Sequence, residues 1–434
     1  MKTRSHKKEI GIVSLGCAKN LVDSERLIRQ LETGEVKIHV DPDESRRLDT
    51  VIINTCGFIG DAKQESIDTI LRFCREKQSG KLGSLLVMGC LSERYKEQLR
   101  VDIPEVDGFY GVNELPRVVT AAGGRFRREL LGERHLTTPR HYAYLKIAEG
   151  CDRQCSFCAI PGIRGKHSSR PEKEILREAE TLAASGVKEL LVISQDTTYY
   201  GLDRYGRRKL AGLTSKLARI SGIEWIRIHY AYPHAFPLDL LDVMREEEKV
   251  CRYIDIPLQH INDRILKSMK RGMTGDKTRK LIDTIRNRVP GVAIRTTLIV
   301  GYPGETPAEY RELRDFITAG RFERVGVFTY SEEEGTAASR LRDSVPVRVK
   351  QERARELMEL QERISLEINK SKIGTIMKVI VDGKEGDHLN GRTEFDSPEI
   401  DNEVLIRNAY NKIKPGRFYH LRISGAGPYD LYVE

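Results

Sequence analysis

The chain has 434 residues, enough for roughly two to four domains, and its 39% hydrophobic content supplies a core. Its net charge is +9, from 73 basic and 64 acidic residues, a balance that suits a nucleic-acid partner but is spread along the chain and decides nothing alone. No stretch approaches the ~18 apolar residues of a membrane span, and the basic residues 1–8 run into a strand-like Glu9-Ile10-Gly11-Ile12-Val13 rather than a signal sequence, which excludes a membrane role and points to the cytoplasm. Eight cysteines in such a chain indicate metal or redox chemistry rather than disulfides.

Three apolar strands come first, and each ends at a cysteine: residues 10–16 before Cys17, 50–55 before Cys56, and 84–89 before Cys90. Helical patterns follow over 24–31, 62–77 and 93–99. This alternation predicts a parallel α/β sheet over residues 1–135 with right-handed crossovers. All three cysteines then fall on the carboxyl edge of the sheet, where open α/β sheets place ligands. One such cysteine is unremarkable as a small core residue, but three at equivalent positions predict a three-thiolate metal cluster. Nearby helix N-termini would favour the thiolate form. Cys74, inside a helical run, and Cys251, beside a strand, read as packing residues.

Residues 136–142 read as a linker into a central module extending to 347. Strand-like runs at 144–147, 190–193, 225–228, 253–256, 294–300 and 325–328 alternate with helical runs near 171–185, 210–220, 238–247, 263–269, 277–287 and 307–318. Six βα units are too few for an eight-stranded barrel, so an open (β/α)6 partial TIM barrel is expected, with its chemistry on the loops after the strands. After the first strand comes Cys151-x-x-x-Cys155-x-x-Cys158. Iron–sulfur cubes usually take four cysteines, so three leave one iron without a protein ligand and open for chemistry. A zinc knuckle is the competing reading, but zinc sites usually use two paired ligand sets. Ser194-Gln195-Asp196-Thr197, His229-Tyr230, Gln259-His260 and Gly301-Tyr302-Pro303-Gly304-Glu305 occupy the later loops. The glycines there would admit close approach of a ligand. Asp196 could instead cap a turn, and either histidine could be a satisfied core residue.

Residues 348–370 form a charged helical run with Glu352/Arg355 and Glu359/Arg363 partners, read as a solvated connector. Short β-like runs at 377–381, 403–406, 419–423 and 431–433 among turn residues predict a small antiparallel β-barrel over 371–434. Between Asp382 and Glu403 eight acids face only Lys384 and Arg392, a local charge of −6. Such a surface should repel phosphate and attract a basic protein.

End to end the chain resembles the radical S-adenosylmethionine methylthiotransferase family. The resemblance rests on Ser14-Leu15-Gly16-Cys17-Ala18-Lys19-Asn20-Leu21-Val22-Asp23-Ser24-Glu25, and on Ile147-Ala148-Glu149-Gly150-Cys151 continuing to Ile160-Pro161-Gly162-Ile163-Arg164-Gly165-Lys166-His167-Ser168-Ser169-Arg170-Pro171. It implies an N-terminal cluster domain, a radical S-adenosylmethionine core and a C-terminal barrel of the TRAM type. It also implies two 4Fe-4S clusters, on Cys17, Cys56 and Cys90 and on Cys151, Cys155 and Cys158. S-adenosylmethionine would be held by the strand-end loops, with Gln195, Asp196, Gly301 and Gly304 as the candidate contacts. One branch of the family modifies an isopentenylated adenosine of transfer RNA and carries Gly-Cys-Gln-Met-Asn; here the segment is Gly16-Cys17-Ala18-Lys19-Asn20, similar to the RimO branch apart from Ala18, where proline is frequent. That branch acts on the β-carbon of an aspartate in small-subunit ribosomal protein twelve, a basic partner that the acidic third module suits. Transfer RNA is the alternative substrate, and a non-catalytic iron–sulfur adaptor is a second alternative. The sulfur and electron donors have no signature in the sequence.

Overall fold

The computed structural model describes residues 7–43, 46–407 and 412–434; Met1–His6 of the basic N-terminus lie outside the described residues. Two compact units form. The first holds the chain through Thr137 together with Glu149–Asp152 and Ala159–Lys166; the second holds Thr138–Ala148, Arg153–Cys158 and His167–Glu434.

In the first unit five parallel strands, β1 (Lys8–Ser14), β2 (Val36–Val40), β3 (Leu48–Thr55), β4 (Leu82–Gly89) and β5 (Gly108–Tyr110), lie in the order β2-β1-β3-β4-β5. Alternation along β3 sends Val51 and Ile53 to one apolar layer and Ile52 to the other. The first layer packs Ile70, Phe73 and Leu99 of helices α2 (Gly60–Gln78) and α3 (Cys90–Asp102). The second packs Leu27, Ile28, Val118 and Val119 of α1 (Ala18–Leu31) and α4 (Leu115–Ala121). The short edge strands β2 and β5 had no clear sequence signal: β2 packs only the partly buried Val36 and Ile38, and β5 is three residues long, with Phe109 alone buried.

The central strands of the second unit are β6 (Tyr142–Lys146), β9 (Glu189–Ile193), β10 (Trp225–Ile228), β11 (Val250–Asp255), β12 (Ala293–Val300) and β13 (Arg324–Thr329), with two-residue strands β7 (Ala148–Glu149) and β8 (Ser168–Ser169) between the first two. They pair in chain order and in parallel, β6-β9-β10-β11-β12-β13, the expected six-stranded open barrel. The C-terminal sheet, β14 (Ile376–Glu385), β15 (His388–Thr393), β16 (Glu403–Ile406), β17 (Phe418–Arg422), β18 (Gly425–Ala426) and β19 (Asp430–Val433), is antiparallel except for the parallel pair β16·β19.

This sheet is continuous with the barrel. Trp225, Cys251, Tyr253 and Ala293 form one apolar cluster with Ile380, Phe395 and Phe418. Its acids corrected our reading of the third module. Asp382 receives Arg392 Nε at 2.7 Å and His141 Nε2 at 2.7 Å. Asp396 pairs with Arg324 and accepts from Thr393 Oγ1 at 2.6 Å. Asp401 accepts from Tyr253 at 2.7 Å and Arg295 Nε at 3.2 Å. Glu189, Arg227 and Arg392 form a buried triad, with Glu189 Oε1 2.9 Å from Arg227 Nε and Oε2 2.8 Å from Arg392 Nη1. Three of the eight acids in the run are therefore held inside, Asp396 and Asp401 by barrel arginines and Asp382 by Arg392 of β15, instead of facing a partner.

The helix Val347–Lys370 is likewise more than a solvated connector. It buries Lys350, Arg353, Leu357, Gln361 and Ile364 along one face. Arg353 Nη1 donates to Glu305 at 2.7 Å, and Gln361 Nε2 to the Phe322 carbonyl at 2.9 Å. The exposed face carries Arg355–Glu359 at 3.5 Å, a pairing other than the expected Glu352/Arg355 and Glu359/Arg363.

Candidate active site and cofactor-binding residues

In the first unit Cys17 caps α1, Cys56 follows β3, and Cys90 opens α3 directly after β4. Small neighbours let these strand ends close up. A Cβ on Gly16 would stand 2.6 Å from Cys56 Cβ, and one on Gly57 would stand 2.6 Å from Leu91 Cα and 2.9 Å from the Cys90 carbonyl carbon. The thiols are free and near enough to sense one another's charge. Among the described residues no three Cys, His or acidic side chains close around a single ion. Burial pushes the Cys90 thiol up to about 12 and raises Cys56 as well. Desolvation thus outweighs the expected thiolate preference from helix ends. Metal binding would have to displace these protons.

The same unit contains an element absent from our sequence reading. A short helix α5 (Ile160–Arg164) carries Arg164, whose guanidinium is buried against Asp23 Oδ2 at 3.2 Å, Glu149 Oε1 at 2.9 Å and Asn20 Oδ1. Asn20 Oδ1 also lies 3.6 Å from Cys90 Sγ. Arg164 stood in a quoted motif, but nothing in its spacing linked it to the first unit's cysteines. Cys151 in this unit donates its N–H to the Gly165 carbonyl at 3.1 Å.

In the second unit Cys155 and Cys158 are half-buried, and the Cys158 N–H closes a turn on the Cys155 carbonyl at 3.1 Å. Ser156 between them pins the loop. Its N–H donates to Met269 O at 3.1 Å, its hydroxyl meets Tyr302 Oη at 2.9 Å, and its carbonyl accepts from Ala338 at 2.7 Å. Arg271 Nη1 donates to Cys155 Sγ at 3.2 Å. Tyr232 stacks between Arg271, 4.3 Å from its ring centre, and Arg153, at 4.1 Å. Neither arginine nor the tyrosine was singled out by the sequence, since cation–π layers leave no pattern along a chain.

The other loops sort by what they touch. Gln195 is half-buried after β9. Asp196 is engaged already, by Arg153 Nε at 2.8 Å and by Thr198 N–H and Oγ1 at 3.0 and 2.6 Å, which suits it to fixing the cysteine loop rather than a ligand. His229 and His260 are satisfied core residues, held by Ser397 Oγ at 3.1 Å and by Glu305 at 3.2 Å. Gly301 has φ +71°, and a Cβ there would stand 2.2 Å from Lys350 Cγ, so its small size serves the helix contact. Gly304, at φ +78°, has only Arg264 nearby, at 3.7 Å. Among the described residues, the buried polar atoms without hydrogen-bond partners at the strand ends include Ser194 Oγ after β9, Gln259 Oε1 after β11 and Tyr330 Oη after β13. Gln259 is moreover held at φ +75°. Orphaned buried acceptors and a strained backbone at a barrel mouth fit a polar ligand such as S-adenosylmethionine.

Comparison with known proteins agrees with this architecture. Residues 145–317 match the Radical SAM superfamily model, residues 9–111 the uncharacterized protein family UPF0004, and residues 373–434 the TRAM domain. Among solved structures the radical S-adenosylmethionine methyltransferase TsrM of Kitasatospora setae aligns with a TM-score of 0.55 over 95% of this chain and 84% of that one, at 15% identity. The fold is that of the radical S-adenosylmethionine enzymes. The ribosomal protein uS12 methylthiotransferase RimO of Christiangramia forsetii is 54% identical over 100% of this chain and 96% of its own length. The RimO proteins of Flavobacterium johnsoniae and Bacteroides thetaiotaomicron are each 52% identical, over 100% and 99% of this chain and 100% and 98% of their own lengths. The chain belongs to the RimO family of radical S-adenosylmethionine methylthiotransferases.

No helix among the described residues is long and apolar enough to cross a membrane.

Proposed function

We propose that this enzyme inserts a methylthio group at the β-carbon of an aspartate in ribosomal protein uS12. The observation that carries the reading is the Cys151, Cys155 and Cys158 loop at the end of β6 in a six-stranded radical-enzyme barrel, within a chain similar end to end to RimO proteins. Cys151, Cys155 and Cys158 would hold one 4Fe-4S cluster, and Cys17, Cys56 and Cys90 a second. With S-adenosylmethionine bound, such clusters supply hydrogen-atom abstraction and sulfur delivery, chemistry beyond any side chain here.

The residues do the positioning. Ser156, through Met269, Tyr302 and Ala338, fixes the loop that presents Cys155 and Cys158. Asp196 holds Arg153 of the same loop, while Ser194 and Gln259 offer polar atoms to S-adenosylmethionine at the strand ends. Gly304 leaves backbone open beside them. Docking of the basic substrate falls to the acids that remain outside the interior pairs. Glu385 and Glu403 line a cavity of about 380 Å³ with Lys384, Asn390 and Arg392. Burial, together with Glu385, Asp382 and Asp430, raises the Glu403 carboxyl, so an incoming lysine or arginine would find an uncompensated acid.

The test is anaerobic turnover of reconstituted protein with S-adenosylmethionine, reductant and sulfide. Either uS12 or isopentenylated transfer RNA is offered, and the product is read by mass spectrometry. A methylthio gain on a uS12 aspartate is expected. A gain on the adenosine instead would overturn the substrate, and absence of 5′-deoxyadenosine would overturn the radical chemistry.

A further inference from the structure

Five side chains in the second unit form one continuous chain. Asp196 holds Arg153 at 2.8 Å, Arg153 lies on Tyr232 at 4.1 Å, Tyr232 lies on Arg271 at 4.3 Å, and Arg271 donates to Cys155 Sγ at 3.2 Å. Arg271 is only 3% exposed. Its other end is tied down: Nη2 donates to the Pro257 carbonyl, and its own carbonyl accepts from the Tyr232 hydroxyl at 3.0 Å. That hydroxyl stands 3.6 Å from the same sulfur. A guanidinium is always charged, so burying one beside a sulfur is costly unless negative charge gathers there. Asp196 answers Arg153 in the chain, whereas Arg271 is directed at Cys155 itself.

We infer that Arg271 is the positioning residue that compensates the charge of the radical-generating cluster through Cys155, with Tyr232 and Arg153 clamping its plane. The inference rests on the proposal that Cys155 is a cluster ligand. A fixed cation one hydrogen bond from a ligating sulfur stabilises the reduced, more negative cluster over the oxidised one. It therefore favours the one-electron reduction that precedes cleavage of S-adenosylmethionine. A charge-assisted hydrogen bond shifts an equilibrium constant by roughly tenfold.

The experiment uses the full chain with Cys17, Cys56 and Cys90 replaced by alanine, so that only the other cluster is read. Redox titration followed by electron paramagnetic resonance compares this parent with its Arg271→Lys and Arg271→Met forms. Arg271→Met should lower the equilibrium constant for reduction about tenfold, a 59 mV fall in midpoint for one electron. Arg271→Lys, which keeps the charge, should restore most of it. Tyr232→Phe keeps the stack and should shift the midpoint less than Arg271→Met. An unchanged midpoint in Arg271→Met, with iron content retained, overturns the inference. So does a loss of iron in Arg271→Met whose remaining cluster titrates like the parent, since that is a purely structural role. If the parent itself forms no reducible cluster able to cleave S-adenosylmethionine, the assignment of Cys155 as a ligand fails, and the inference with it.

Discussion

Replacing Glu189 by glutamine should loosen the second unit by a calculable amount. Glu189 is fully buried, and its two oxygens serve Arg227 and Arg392, which are 0% and 2% exposed. Burial alone would push its carboxyl up, but the two guanidinium groups hold it below its ordinary value of 4.5. The Glu189→Gln change keeps the shape and removes the charge. Arg227 then faces a neutral amide, Arg392 keeps only Asp382, and breaking a buried ion pair from one side costs about 3–5 kcal/mol. At about 2.1 cal/mol/K per residue, a cooperative unit of roughly 300 residues has an unfolding entropy near 0.6 kcal/mol/K, so its midpoint should fall by roughly 5–8 °C. Scanning calorimetry of the full chain measures this on the larger unit's transition. The sign in pH is also fixed: a depressed native carboxyl contributes stability above 4.5 that is lost as pH falls through its native value, so the gap between wild type and variant should close on acidification below 4.5. A drop below about 1 °C at neutral pH, or a gap that widens in acid, would refute the reasoning.

Alanine at any of Cys17, Cys56 or Cys90 should remove about four irons per chain and abolish methylthio transfer while 5′-deoxyadenosine still forms; alanine at Cys155 should abolish both, as iron assay and product analysis will report. Because burial holds the Cys90 thiol near 12, reconstitution should release protons, and its yield should rise from pH 7 to 9, measured by iron and sulfide content. A flat profile would contradict the burial of that thiol. Gly301→Ala places a Cβ 2.2 Å from Lys350 Cγ at φ +71° and should destabilise by about 1–3 kcal/mol, with part recovered in the Gly301→Ala, Lys350→Ala double variant by denaturant unfolding. Reversing Glu385 and Glu403 to lysine should raise KM for uS12 several-fold, more at low than at high salt, with little change in kcat; an unchanged KM would remove the acidic cavity from substrate docking.

The βα alternation of residues 10–99 and 144–328 was legible without coordinates. Buried parallel strands such as Val51-Ile52-Ile53 and Leu190-Leu191-Val192 are apolar runs bounded by turns, and each is followed by a helical period. The six proposed cluster cysteines were legible for a local reason: they follow strands, and a strand's end fixes which edge of a sheet a residue occupies. Composition misled where pairing is non-local. The acidic run 382–403 looked like a surface, yet Asp382, Asp396 and Asp401 turn inward to arginines that lie 10, 72 and 106 residues away. Gly301 looked like a ligand-approach glycine, yet it makes room for Lys350 on a distant helix. The sequence by itself therefore determined the chemistry on offer: two sets of three thiols, a parallel barrel and a family. Only the tertiary structure decided which charged side chains surround those thiols. Arg271 reaches Cys155 across 116 residues of chain, and such a contact is selected by the burial and hydrogen bonding of the folded interior, which no local spacing encodes.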